Sequence, residues 1–153
     1  MNPAEHLKLI AFLGASTIAS KADREGGGFV RRFGEWAAQA GSALKVSGFG
    51  IDGDTLLGMR DRARRDIAPL RPDLTVISTG INDTRREGAP DAPNKTALAD
   101  YRSAFAELLG AVRAFSKAAV LGPFAINDRD TQPLRGTTLY YSRADAERYV
   151  AVQ

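Results

Sequence analysis

Short apolar runs, Leu7–Leu13, Ala43–Val46, Leu74–Ser78 and Ala118–Leu121, alternate with segments whose apolar residues recur at helical spacing. Runs of this length, bounded by glycine, proline or polar residues, suit buried strands and are too short for packed helices. After the first run, Phe29, Phe33, Trp36, Ala37 and Ala40 fall on one stripe, with Gly41 placed to end the helix. Asp54 is placed to cap a second helix carrying Leu56, Met59, Ala63, Ile67 and Leu70 on one face, closed by Pro72. Leu98, Tyr101, Phe105, Leu108, Leu109 and Val112 define the most regular helix of the chain. Strands alternating with helices imply right-handed crossovers and a parallel sheet covered on both faces. The predicted fold is therefore α/β, a three-layer α/β/α sandwich with strand order 2-1-3-4. Ligands of such sheets bind beyond the carboxyl ends of the strands, and this order sets the first three loops side by side.

Those loops carry the residues of chemical interest. Ser16 follows strand one in Leu13-Gly14-Ala15-Ser16, Gly50 follows strand two in Gly50-Ile51-Asp52-Gly53-Asp54-Thr55, and Asn82 follows strand three in Gly80-Ile81-Asn82-Asp83. A serine hydroxyl is a weak nucleophile that needs an adjacent base and donors aimed at a developing oxyanion. Gly50 brings a backbone N–H close because no side chain intervenes. Asn82 offers a neutral carboxamide donor, and the N–H of Ser16 is a third. Together they are the parts of an oxyanion-stabilised acyl-transfer site. Each motif alone is unspecific: Gly14 to Ile18 is no Gly-x-Ser-x-Gly elbow, and Gly50 and Asn82 taken singly read as turn residues.

The three blocks resemble those of the SGNH, or GDSL-type, hydrolases, a family of esterases and lipases. Its Gly-Asp-Ser block is similar to Gly14-Ala15-Ser16, its glycine block to Gly50–Thr55 and its Gly-x-Asn-Asp block to Gly80–Asp83. The resemblance implies a flavodoxin-like three-layer sandwich, Ser16 as nucleophile and Gly50 and Asn82 as oxyanion-hole donors. It implies hydrolysis of acyl or acetyl esters, with no cofactor and no metal. Ala15 departs from the family's aspartate, and Gly48 from its frequent asparagine. The family's closing Asp-x-x-His block is not found. The expectation is thus one domain over residues 1–153, shortened at its C-terminus, lacking a final strand and the catalytic histidine, and impaired as a hydrolase.

The only histidine is His6, which precedes strand one. At about 3.3 Å per residue the strand would hold it more than 20 Å from Ser16. Asp52, Asp54 and Asp83 are expected to be exposed carboxylates, weak bases for a serine. Helical periodicity then extends over Leu139–Val152, with Tyr141, Ala144 and Tyr149 as candidate core contacts or, if a neighbour is missing, partner-facing residues in a homo-oligomer.

Composition narrows the alternatives. The chain has no cysteine, which excludes disulfides and thiolate metal sites and fits a cytoplasmic setting, and one histidine makes a protein-bound zinc or iron centre improbable. Leu7–Leu13 is too short to span a bilayer and lacks a signal peptide's basic lead. The net charge of +3 is dispersed, arginines alternating with acids from Arg60 to Asp66, which reads as a solvated helix face rather than a nucleic-acid surface. Gly48-x-Gly50-x-x-Gly53 matches a dinucleotide fingerprint, but Asp73 opens the next strand instead of closing it. Gly26-Gly27-Gly28 before a helix is a candidate phosphate loop without the Gly-Lys-Ser/Thr ending. Arg85 and Arg86 are candidates to meet an anionic substrate group. With no base for Ser16, a noncatalytic ester- or carbohydrate-binding module, or a chain completed by a partner subunit, is the competing function.

Overall fold

The computed structural model describes residues 7–20, 23, 26–123 and 125–153. Strand β1 (Leu9–Gly14) enters a single helical turn, α1 (Ser16–Ala19), which precedes helix α2 (Gly28–Gln39). Strand β2 (Lys45–Gly50), helix α3 (Leu56–Asp66) and strand β3 (Leu74–Ser78) come next. The loop after β3 holds a two-residue strand, β4 (Arg86–Glu87), before helix α4 (Leu98–Arg113) and strand β5 (Lys117–Leu121). Helical turn α5 (Asp128–Thr131), strand β6 (Leu139–Tyr140) and helix α6 (Arg143–Val150) follow. The main sheet is wholly parallel, ordered β2-β1-β3-β5. This is the expected 2-1-3-4 order, β5 being the fourth long strand.

The two-residue alternation of a strand divides the core. Ala11 and Leu13 of β1 face Met59, Ala63, Tyr101 and Leu108 of α3 and α4. Ile10 and Phe12 face Ile18 and Val30 of α1 and α2, and Phe12 meets Phe29 and Phe33 edge-on. At the opposite end of the sheet from the Ser16 loop, the Asp73 carboxylate accepts the N–H groups of Lys8 and Leu9 at 2.7 and 2.9 Å. These bonds hold the Asp73 carboxyl below the usual range and tie the starts of β1 and β3 together.

Coverage is less complete than expected. α2 packs over β1 and β2, and on its side of the sheet Lys117, Ala119 and Leu121 of β5 are exposed. The α2 stripe stops at Ala37: Trp36 is 63% exposed and stacks on Phe33, and Ala40 is exposed. Leu70 lies in a 3-10 turn beyond α3 and is also exposed. β2 runs on through Gly48 and Gly50, a stretch that looks like a loop in sequence because glycine is a poor strand former. The α1–α2 layer lies directly on both glycines, and at Gly50 it leaves no room for a side chain. A β-carbon at Gly48 would touch Val30 at 3.4 Å, and one at Gly50 would lie 2.0 Å from the Ala19 nitrogen.

The C-terminal segment corrects the predicted helix over Leu139–Val152. Leu139 and Tyr140 pair antiparallel with Glu87 and Arg86, and the helix begins only after Ser142, whose hydroxyl accepts the Asp145 N–H. Tyr149 is fully buried and Tyr141 half-buried, but Ala144 is exposed and Ala146 takes the core position. Among the described residues no helix is long and apolar enough to cross a membrane.

Candidate active site

Ser16 is the first residue of α1, half-buried, immediately beyond the end of β1. Its hydroxyl has no hydrogen-bond partner among the described residues. His6 lies outside the described residues, which contain no histidine.

Gly50 ends β2, the edge strand. Lys45 N–H donates to Lys8 and Ile51 N–H to Gly14, so the odd-numbered amides of β2 point inward to β1. By the alternation of a strand, the Gly50 N–H points out of the sheet edge, free of the ladder. The contacts that forbid a side chain here, Ala15 O at 2.7 Å and Ala19 N at 2.0 Å from the would-be β-carbon, are α1's own backbone. Gly50 and the Ser16 turn are therefore packed against each other.

Asn82 lies in the turn after β3, 8% exposed. Its Nδ2 donates one hydrogen to the Asp54 carbonyl at 2.8 Å, leaving the second. A small cleft brings the turn together with the other loops, lined by Ala15 and Thr17 on either side of Ser16, by Asp54, and by Gly80, Asn82 and Pro123. Beyond Pro123 an apolar pocket of about 450 Å³ is lined by Ile126, Ala146 and Val150. A groove of about 720 Å³ between α1, α2 and β2 takes in Gly50 but not Ser16.

The carboxylates near these loops are not exposed, contrary to expectation, except Asp52. Asp83 is fully buried and accepts the Leu56 N–H at 3.1 Å and the Thr96 hydroxyl at 2.7 Å. It supplies the cap of α3 from the turn after β3, a role predicted for Asp54, because the start of α3 lies beside that turn. Burial outweighs these bonds and pushes the Asp83 carboxyl up. Asp54 instead pairs at 2.9 Å with Arg62, whose guanidinium is buried and also donates to Gly14 O and Phe49 O. The Arg60–Asp66 stretch is thus no uniformly solvated face. The signal for Arg62 was its place three residues after Met59, on the margin of an apolar stripe. Burial raises the Tyr101 and Tyr149 phenols to about 12, so neither titrates near neutrality.

Other candidates separate cleanly. Gly26 and Gly28 N–H groups donate to the Asp23 carboxylate at 3.1 and 3.2 Å, an internal anion where a phosphate was considered. Arg86 makes a two-toothed pair with Asp145 at 2.8 and 3.0 Å, while Arg85 lies 3.9 Å from Glu87. Among the described residues no cluster of three or more acidic, histidine or cysteine side chains could hold a metal.

The sequence profile of the GDSL-like Lipase/Acylhydrolase family matches residues 12–152, nearly the whole of the described chain. The chain belongs to this family. Within it, the chain is similar to an acetylxylan esterase of Geobacillus stearothermophilus, 29% identical over 103 residues, which are 65% of this chain and 47% of that one. It spans about half the length of this curated relative. The GDSL-like fold is shared with the acetyl xylan esterase AlAXEase, with TM-score 0.73, 21% identity and coverage of 94% of this chain and 69% of that. The structure of TesA superposes with TM-score 0.70 at 23% identity, covering 94% of this chain and 69% of its own. A catalytic mutant of Axe2, an acetylxylan esterase from Geobacillus stearothermophilus, gives TM-score 0.68 at 21% identity, covering 95% and 69% of the two chains.

Proposed function

We propose that this GDSL-family chain is a serine ester hydrolase that works through an acyl-enzyme on Ser16, with O-acetyl or short acyl esters as substrates. Ser16 Oγ attacks the ester carbon, its proton passes to a base, and the carbonyl electrons collect on an oxyanion. The free N–H of Gly50, the second Nδ2 hydrogen of Asn82 and the N–H of Ser16 receive that oxyanion. Collapse expels the alcohol, which takes up the proton, and water then releases the acid from Ser16 by the same route. The observation carrying this reading is the free Gly50 amide packed against the Ser16 turn, with Asn82 in the neighbouring loop. The relatives add support for the substrate class, since two are acetylxylan esterases by name, and catalytic mutants of Axe2 replace a serine and a histidine. The lack of cysteine agrees with a reducing, cytoplasmic setting.

The base is the open element. Among the described residues no histidine is present, Asp83 is taken by the cap of α3 and Asp54 by Arg62. With an oxyanion hole and no base for Ser16 among the described residues, modest turnover is the expected activity of this chain. The same unpartnered hydroxyl favours a second reading, a noncatalytic ester- or carbohydrate-binding module.

Hydrolysis of p-nitrophenyl acetate by the chain and by Ser16→Ala separates the two. Slow turnover lost in Ser16→Ala, with an acetyl adduct on Ser16 by mass spectrometry, supports the hydrolase. Equal background rates, no adduct and sugar-ester binding that survives Ser16→Ala favour the binding module.

A further inference from the structure

We propose that Arg62 is the positioning residue that sets all three oxyanion donors at once, an inference that rests on the hydrolase reading of Ser16, Gly50 and Asn82. Arg62 is 5% exposed, on the inner side of α3. Its Nη2 donates to Gly14 O at 2.9 Å and to Phe49 O at 3.1 Å, and its Nε to Asp54 Oδ2 at 2.9 Å. Nη1 reaches Asp66 Oδ2 at 3.5 Å, so the remaining side of the guanidinium is directed back to its own helix.

Each of the first three acceptors controls one donor. Gly14 is the strand end from which the chain turns through Ala15 into Ser16. Phe49 C=O and Gly50 N–H belong to one planar peptide and point in opposite directions, so the bond that fixes the carbonyl inward fixes the N–H outward at the sheet edge. A cationic donor on that carbonyl also polarises the peptide and strengthens its N–H as a donor. Asp54 is linked to the third: its side chain holds Arg62 while its backbone carbonyl accepts Asn82 Nδ2.

The helix leaves room for this arrangement. A β-carbon at Gly58 would lie 2.0 Å from Asp54 Oδ1, so glycine at this helical position lets the carboxylate fold back towards Arg62. Glycine in a helix interior is otherwise unfavourable relative to alanine. Gly58→Ala therefore displaces the Asp54 carboxylate without replacing Arg62 or any residue that carries a proposed oxyanion donor.

The test compares the parent chain with Arg62→Met, Arg62→Lys and Gly58→Ala. It measures kcat and KM for p-nitrophenyl acetate, folding by circular dichroism, and the NMR resonances of the Gly50 amide and the Asn82 side-chain NH2. In folded Arg62→Met, kcat is expected to fall roughly tenfold to a hundredfold, as for a small misplacement of reacting groups, with KM within about twofold. Both resonances move together, Arg62→Lys recovers part of the loss, and Gly58→Ala shows the same pattern more weakly. If Arg62→Met does not fold, Gly58→Ala and Arg62→Lys carry the test. Resonances that stay in place, or a kcat per folded molecule that stays at the parent value while only thermal stability falls, overturn the proposal. A parent chain with no turnover sinks the hydrolase reading instead, and the two resonances alone then decide whether Arg62 sets these groups.

Discussion

The turn after β3 is fastened to the start of α3 at two points, Asn82 Nδ2 to Asp54 O and Asp83 to the Leu56 N–H. The first bond leaves a donor over and the second withholds a carboxylate from chemistry. If the proposed acyl-enzyme mechanism holds, Asn82→Ala removes a donor that meets the substrate oxygen only as it becomes charged, so kcat is expected to drop by about 10²–10³ with KM little changed. Steady-state kinetics on an acetyl ester, corrected for the Ser16→Ala background, checks this. Asp83 acts through the folded state. Its carboxyl titrates higher folded than unfolded, so the stability it contributes is fully present below the ordinary carboxylate value and is lost as pH rises through the folded value. The melting temperature of the parent relative to Asp83→Asn should therefore decline as pH rises above the ordinary carboxylate range. A difference that is flat, or that grows with pH, contradicts this account. In the sequence Asp83 is one more loop carboxylate, because its burial depends on Leu56 and Thr96, residues far along the chain that only the fold brings to it.

At the level of the element, legibility followed where the residues get their partners. β3 and α4 match their sequence patterns because each is fixed by apolar residues that pack into the core, β3 on both faces of the sheet: Leu74–Ser78 is the strand observed, and Tyr101, Phe105, Leu108 and Val112 are all buried. Leu108→Ala should cost about 2–5 kcal/mol in urea unfolding, the range for a buried leucine left as a cavity. The positions of Ser16 and Asn82 just beyond β1 and β3 were equally legible, since strand ends locate themselves, whereas Gly50 lies inside β2 rather than after it. β2 and α6 were not legible. Glycine hides β2 until the overlying α1 is known, and β6 interrupts the last helix through pairing with a loop some fifty residues earlier. The packing of α1 on β2 makes an ordered prediction. Gly50→Ala pushes a methyl into the Ala19 nitrogen and should destabilise by at least about 1–3 kcal/mol, whereas Gly48→Ala meets only ordinary contacts and should cost less. Denaturation of the two variants side by side tests the ranking.

Across the whole molecule, the loop after β3 and the C-terminal segment are joined by the β4–β6 pairing and by Arg86 on Asp145. Burial works against the Asp145 carboxylate, whose side chain is 4% exposed, yet hydrogen bonds from Arg86 and Ser142 hold its carboxyl below the usual range. Arg86→Ala leaves that charge with Arg148 and Ser142 as its remaining partners and is expected to cost about 1–3 kcal/mol, the range for removing one partner of a buried polar group. Hydrogen exchange should show the amides of α6 opening first, ahead of β1 and β3.

The outward amide of Gly50 exists only because β2 has one neighbour. Sheet edges invite further strands, and any chain that aligned beside β2, from a second copy or an aggregate, would take this N–H into its own ladder. For a hydrolase of this design, growth of the sheet on that side and turnover are mutually exclusive, so assembly along β2 would act as an off state and the working enzyme must keep that border bare.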